Sequence, residues 1–430
     1  MTPWSGENLF GHPKGLFVLF LTEMWERFSY YGMRSLLVYY MIKQLMLTQG
    51  QASQIYGLYT GFVYLTPLFG GILADRVLGQ RRAVILGGVL MAIGHFLMAF
   101  QSAFFLALLF LILGNGAFKP NISTQVGNLY TPGDPRRDRA FGIFYVGINL
   151  GAVFSPLVCG TLGELYGWHY GFSAAGVGMV VGLSIYLVGR RWLAPDNLTE
   201  RKVSGEQTLP SLTKEERSRV WGLIAVCLVN IAFWAAYEQQ GNTLALWADM
   251  NTDRHVFDWE FPASWFQSLN PAFVILCMPI IVKFWAWQST RNKEPSTIAK
   301  MAVGCFLLAS GFLVMIPAAE LYSSEGAPVS VLWLFFSTLL TTLGELYLSP
   351  VGLSLVTKLS PARMVSTMMG IWFLSSFVGN YTAGFLGHYW EAMSKDVFFL
   401  MIAAIALSAG LVISLLLKPL KRSMGPRYNL

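Results

Sequence analysis

The chain has 430 residues, of which 54% are hydrophobic and only 12% charged, about half the charged share of an ordinary soluble domain. That balance, with 15% aromatic residues and 42 glycines, excludes a soluble globular protein and points to a polytopic membrane protein. The net charge of +7 does not call for a nucleic-acid partner, because it follows from a bias of Lys and Arg towards one set of loops.

A helix that spans a bilayer needs about 20 mostly apolar residues, and twelve stretches qualify: 16–45, 55–73, 83–100, 104–129, 141–162, 172–188, 220–247, 264–285, 298–319, 329–355, 364–386 and 397–417. The predicted fold class is therefore all-α, with twelve transmembrane helices. A polar stretch at 190–219 separates an N-terminal six-helix bundle, 1–190, from a C-terminal one, 219–430, with a cytoplasmic linker at 191–218. Lys14 leads straight into the first span with no small-residue cleavage site behind it, so no cleavable signal peptide is expected. If the N-terminus is cytoplasmic, inner loops and termini hold 24 of the 30 basic residues, outer loops hold Lys43, Arg254 and Lys395, and spans hold Arg27, Arg34 and Lys119. Both termini are thus expected in the cytoplasm.

Span one carries Glu23, Glu26, Arg27, Tyr30, Tyr31 and Arg34 within an apolar run. At about 100° per residue all six share one helix face. A charge at mid-bilayer costs about 2.5–3.5 kcal/mol even on lenient insertion scales, so this face must look onto protein or water. After span two comes Gly71, Asp75, Arg76, Gly79, Arg81 and Arg82, a spacing that resembles the loop signature of the major facilitator superfamily and implies its fold of two six-helix bundles around a central cavity. In span four, Leu113-Gly-Asn-Gly-Ala-Phe-Lys119-Pro120 is echoed 230 residues later by Leu343-Gly-Glu345-Leu-Tyr-Leu-Ser349-Pro350 in span ten. Gly142-Ile-Phe144 is similarly echoed by Gly370-Ile-Trp372, as expected of a duplicated transporter.

The ionisable residues well inside spans are Glu23, Glu26, Arg27, Arg34, Lys119, Glu238 and Glu345, four acids against three bases. An acid left without a partner in a low-dielectric site takes a proton, although coupled sites do not reveal which carboxylate titrates. The bases all lie in the N-terminal half, while Glu238 and Glu345 lie in the C-terminal half. That separation suits a zwitterion such as a short peptide, whose ammonium and carboxylate stand about 3.5 Å apart per residue.

The E-x-x-E-R-F pattern with Tyr30, Tyr31 and Arg34, Phe144-Tyr145-Val-Gly-Ile-Asn149, Phe233-Trp234-Ala-Ala-Tyr-Glu238-Gln239 and Gly344-Glu345-Leu-x-x-Ser349-Pro350 together resemble the proton-coupled oligopeptide transporter family. The resemblance implies symport of di- and tripeptides with protons by alternating access. It assigns proton coupling to Glu23, Glu26, Arg27 and Lys119. It gives the peptide carboxylate to Arg27, Arg34, Lys119 and Tyr31, and the ammonium to Glu345 with Asn149 and Asn270. Arg34 with Glu238 and Lys119 with Glu345 become gate salt bridges, and Tyr30, Tyr64, Tyr145, Trp234, Ser349 and Trp372 line the pocket. Asn149 and Asn270 equally suit interhelical hydrogen bonds, and Trp234 and Trp372 suit packing.

Many bacterial relatives insert two helices between the halves, for which 190–219 has no room, and span two lacks the histidine of animal relatives. His95 in span three has no evident partner. Cys159, Cys227, Cys277 and Cys305 fall in four different spans and read as packing thiols. Asp249, Asp253, Asp258 and Glu260 make the seven-to-eight loop a solvated acidic surface or a calcium-like site. No metalloprotease or nucleophile motif argues for an enzyme. The expected partners are di- and tripeptides, protons and the bilayer of a bacterial inner membrane, with no nucleic acid, no cofactor besides the coupling proton, and a monomeric state. Within the same fold, a transporter of nitrate or a peptide-like drug is the alternative.

Overall fold

The computed structural model describes residues 8–131, 134, 136–195, 213–361 and 364–424. Their helical segments form twelve runs, matching the expected spans in number and order. They comprise α1 (Lys14–Lys43), α2 (Gln49–Leu73), α3 (Gln80–Leu97), α4 (Phe104–Asn128), α5 (Arg136–Ser155), α6 (Trp168–Gly189), α7 (Lys214–Tyr237) with α8 (Thr243–Met250), α9 (Leu269–Thr290), α10 (Thr297–Leu313) with α11 (Met315–Glu325), α12 (Leu332–Leu359), α13 (Val365–Gly387) and α14 (Lys395–Met424). Nine runs of the described residues are long and apolar enough to cross a membrane by length and composition. The run of α1 falls outside that set, as its four charges require.

Two compact units divide the chain: Met1–Leu45 with Phe62–Glu206, and Met46–Gly61 with Gln207–Leu430. Most of the expected linker, 196–212, lies outside the described residues. The N-terminal half of α2, up to Gly61, groups with the second unit. Its polar face explains why: Gln49 Nε2 donates to the Gly387 carbonyl at 2.8 Å, Ser53 Oγ to Asn242 Oδ1 at 2.8 Å, and Tyr56 Oη to Glu238 Oε2 at 3.3 Å.

In the first unit α3 packs along α4, and α1 packs on α5 and α6. A Cβ on Gly87 would lie 2.6 Å from the Gly114 carbonyl oxygen, and one on Gly114 2.7 Å from that of Gly87, so these two backbones touch where no side chain fits. The second unit repeats the device between α10 and α12, where Gly304 and Gly344 face each other with 2.7 Å in both directions. Small-residue contacts of this kind set helix spacing in lipid, where hydrophobic burial between helices supplies little drive.

Three departures from uniform helices matter for the site. The 71–82 signature is not an open loop: a π-helical turn, Ala74–Leu78, prolongs α2 and carries Asp75 and Arg76, and Gly79 (φ 80°) then starts α3. Span seven, expected unbroken over 220–247, is interrupted by a 3-10 turn at Glu238–Gly241 before α8. Side chains replace the missing ladder there, with Thr243 Oγ1 donating to Gln239 Oε1 at 2.9 Å and Gln239 Nε2 to the Ala383 carbonyl at 2.9 Å. Helix-breaking backbone is tolerated at membrane depth only when such partners exist. Beyond α8, the hairpin β4 (His255–Val256) with β5 (Trp259–Glu260) follows a short strand β3 (Thr252–Asp253), which pairs in parallel with β6 (Val329–Ser330); these are numbered after the terminal hairpin β1 (Asn8–Leu9) and β2 (His12–Pro13).

Candidate functional site

The first unit gathers its charges on α1. Glu23, Glu26 and Arg27 are 2%, 0% and 3% exposed, fully withdrawn from the surface. Arg27 Nε sits 2.5 Å from Glu26 Oε2 and 3.2 Å from Glu23 Oε1, so one guanidinium serves two carboxylates. Asn115 on α4 reaches Glu26 Oε1 at 3.5 Å. Three atoms of this cluster remain without a hydrogen-bond partner although buried: Glu23 Oε2, Arg27 Nη2 and Asn115 Oδ1. Leaving a buried polar group unsatisfied costs about 1–3 kcal/mol, more for a charged one, so this cluster is the least satisfied polar group on α1.

Around that centre stand cations on aromatic faces. The Arg27 guanidinium lies 5.2 Å from the Tyr30 ring centre, Arg34 5.8 Å from that of Tyr31, and Lys119 Nζ 4.8 Å from that of Tyr64. Tyr30 and Tyr31 meet edge to face at 5.1 Å. Lys119 lies in the fields of Glu23, Glu26, Arg27 and Arg34 together, so a change of charge on α1 is felt at α4. Asn149, expected to help bind an ammonium, is buried and donates Nδ2 to the carbonyl of Tyr145 in its own helix at 2.9 Å.

The second unit builds an acceptor cluster on three helices. The Tyr237 hydroxyl donates to Glu345 Oε2. Asn270 Nδ2 lies 2.9 Å from Tyr237 Oη, 3.0 Å from Thr342 Oγ1 and 3.0 Å from Glu345 Oε2. Glu345 and Asn270, both expected to meet an ammonium, are thus brought together, and Tyr237 and Thr342 join them unforeseen. The available signal was a tyrosine one residue before Glu238 and a threonine three before Glu345, on the same helix face. Trp234 packs edge to face on Tyr237 at 5.3 Å, and Phe233 stacks on it at 5.8 Å. Trp372 is buried and seated so close to α12 that a Cβ on Gly352 would lie 2.4 Å from its ring. Ser349 is half-buried one turn beyond Glu345. Glu238, in the 3-10 turn of span seven, is buried and accepts from Tyr56, another hydroxyl that sequence reasoning missed.

Outside this group, three of the four acids of the seven-to-eight loop, Asp249, Asp253 and Glu260, are engaged. Arg254 Nη2 lies 2.6 Å from Glu260 Oε1 and 3.5 Å from Asp249 Oδ1, while Asp253 takes both the backbone N–H and the ring of His255. Those hydrogen bonds from His255 hold the Asp253 carboxyl below the usual carboxylate range. Among the described residues no cluster of His, Cys, Asp or Glu is arranged to hold a metal ion.

Comparison with known proteins places this geometry. The family profile described as PTR2, POT family, matches residues 81–206 and 196–405. The peptide transporter YePEPT of Yersinia enterocolitica is 37% identical over 497 residues, covering 98% of this chain and 97% of the relative. That alignment is longer than the chain, so the relative carries segments with no counterpart here. A di-/tripeptide transporter of Lactococcus lactis subsp. cremoris is 34% identical, covering 97% and 98%. The crystal structure of a peptide transporter POT in complex with sulfate superposes with a TM-score of 0.88 at 36% identity, covering 97% of each chain.

Proposed function

The chain belongs to the POT family, and from that premise we propose that it is a proton-coupled symporter importing di- and tripeptides, with coupling held in the first unit and recognition of the amino terminus in the second. It is a transporter, not an enzyme. The observation that carries the division of labour is the pair of buried, unpartnered atoms Glu23 Oε2 and Arg27 Nη2 on one face of α1.

A proton taken by the α1 carboxylates removes one negative charge beside Arg27 and Lys119. Both cations are then less held by acids and more available to an oxyanion, so the peptide carboxylate binds where the proton has made room for it. Arg34 and Tyr31, one turn further along, extend this cationic face. The peptide ammonium goes to Glu345, whose carboxylate Tyr237 and Asn270 orient. Backbone charges are read at both ends while aromatic walls, Tyr30, Tyr64, Tyr145, Trp234 and Trp372, accept varied side chains. The salt bridges Arg34–Glu238 and Lys119–Glu345 act as gates in alternating access. The protein works as a monomer in a bacterial inner membrane with both termini in the cytoplasm, and the proton is its only coupling ion. Lys and Arg in the expected inner loops support this orientation.

Uptake of labelled dialanine by the reconstituted protein tests the proposal. Accumulation above the external concentration is expected only with an inward proton gradient, and unlabelled dipeptides should compete for it. Nitrate that competes where dipeptides do not would replace the peptide by another solute.

A further inference from the structure

The first unit contains a second cationic feature, apart from the α1 cluster. The start of α3 and the end of α6, with the 3-10 turn Arg190–Trp192 that follows it, enclose a recess of about 350 Å³ lined by Arg81, Arg82, Ile85, Tyr186, Arg190 and Arg191. Its volume lies within the range of small-ligand sites, and among the described residues no carboxylate lines it. We propose that this recess binds a phosphate-bearing anion, with Arg82, Arg190 and Arg191 as its ligands.

Three observations support the assignment. Elsewhere in the chain, several basic residues near span ends face acids: Arg136 is bidentate on Asp134, Arg254 meets Asp249 and Glu260, and Lys300 sits 2.5 Å from Glu294. Among the described residues, Arg82, Arg190 and Arg191 have no such carboxylate, so three like charges share one concavity and repel unless an anion joins them. Arg81 is differently employed. Its Nε donates to the Ala194 carbonyl at 3.0 Å and its Nη2 to that of Leu193, which ties the chain beyond α6 to the first turn of α3 and makes the recess a built wall instead of a loose fringe. Arg191 is likewise pre-placed, its guanidinium 4.1 Å from the Trp192 ring centre.

The third observation is the fixed floor of the recess, where Tyr186 lines it and is anchored from behind by Gln125. Tyr186 is fully buried and bonded at 2.8 Å to Gln125 Oε1, while Gln125 Nε2, also buried, has no acceptor. The start of α3 adds backbone N–H groups and the positive end of a helix dipole. A bias of loop charge explains why arginines collect near span ends, but it demands neither a cavity nor a shared one. Because α3 begins and α6 ends here, the recess lies at the level of lipid headgroups, where an acidic phospholipid and free phosphate are both at hand.

The test is thermal unfolding of the full-length protein in detergent, followed by tryptophan fluorescence, with inorganic phosphate, dihexanoyl phosphatidylglycerol or dihexanoyl phosphatidylcholine added at matched ionic strength. The expected result is a saturable rise in Tm with phosphate or phosphatidylglycerol and little with the zwitterionic lipid. A response to phosphatidylglycerol that exceeds the response to inorganic phosphate identifies a headgroup, and equal responses identify the free ion. The R82Q/R190Q variant should weaken the apparent affinity at least tenfold, and R82K/R190K should recover part of it. Dipeptide binding should be unchanged in both. Equal responses in the wild type and R82Q/R190Q, or no saturable response to any of the three, would overturn the site. Detergent exposes both ends of the spans, so the outcome does not depend on membrane orientation or on peptide being the transported solute.

Discussion

Helix α4 of the first unit and α12 of the second start from the same backbone device and end with opposite chemistry. Each approaches its neighbour through facing glycines, Gly114 on Gly87 and Gly344 on Gly304. The residue after that glycine then enters a polar centre in both: Asn115 reaches Glu26, and Glu345 receives Tyr237. Four residues further stand Lys119 and Ser349, followed in both helices by proline within the helix. The repeat conserves where a side chain is presented and leaves its charge open. One unit therefore holds a surplus of cations beside an incompletely paired acid, and the other holds a carboxylate fixed by neutral donors.

The sharpest way to break this contrast is to remove the cation of α4. K119A should abolish gradient-driven accumulation of dialanine, with a drop of at least tenfold, while counterflow of peptide between equal pH values survives. Equal loss of both would make Lys119 a structural residue. Next in size is the anionic pole of α12. E345Q should weaken peptides with a free amino terminus by ten- to a hundredfold, as loss of a charged hydrogen bond of about 1.5–3 kcal/mol implies, and N-acetylated peptides far less. If both classes suffer alike, the ammonium does not go to Glu345.

The shared scaffold makes a prediction of its own. G114A and G344A each push a Cβ to within 2.7 Å of an opposing carbonyl oxygen, and each should destabilise the protein by about 1–3 kcal/mol in thermal unfolding in detergent. Comparable losses sharpen the equivalence of the two contacts, and a neutral G344A would break it. The smallest effect belongs to a residue that only orients: Y237F removes the hydroxyl donor to Glu345 and should cost about fivefold in affinity for free-amino peptides. It should add little in an E345Q background, since its partner is already changed.

The difference between what was legible in the chain and what was not follows the same contrast. Apolar length gave the twelve runs, and helical period put Glu23, Glu26 and Arg27 on one face, because both depend on neighbours in sequence. The site of the second unit was half legible. Glu345 announces itself as a charge in lipid, but Tyr237, Thr342 and Tyr56 are ordinary residues of apolar helices until folding brings a carboxylate to them. The break of span seven at Glu238–Gly241 was hidden for a similar reason, since no proline marks it and the partners of Gln239 include Ala383 on α13. Residues 46–61 read as part of the first bundle by order, yet Gln49, Ser53 and Tyr56 find their partners in the second unit.

The most direct measurement compares E23Q with E345Q in proteoliposomes, recording for each both accumulation of dialanine under a proton gradient and counterflow without one. If the first unit couples and the second recognises, E23Q loses accumulation but keeps counterflow, whereas E345Q loses both at low dialanine and regains both as dialanine is raised. An E23Q protein that still concentrates peptide against its gradient would contradict that division.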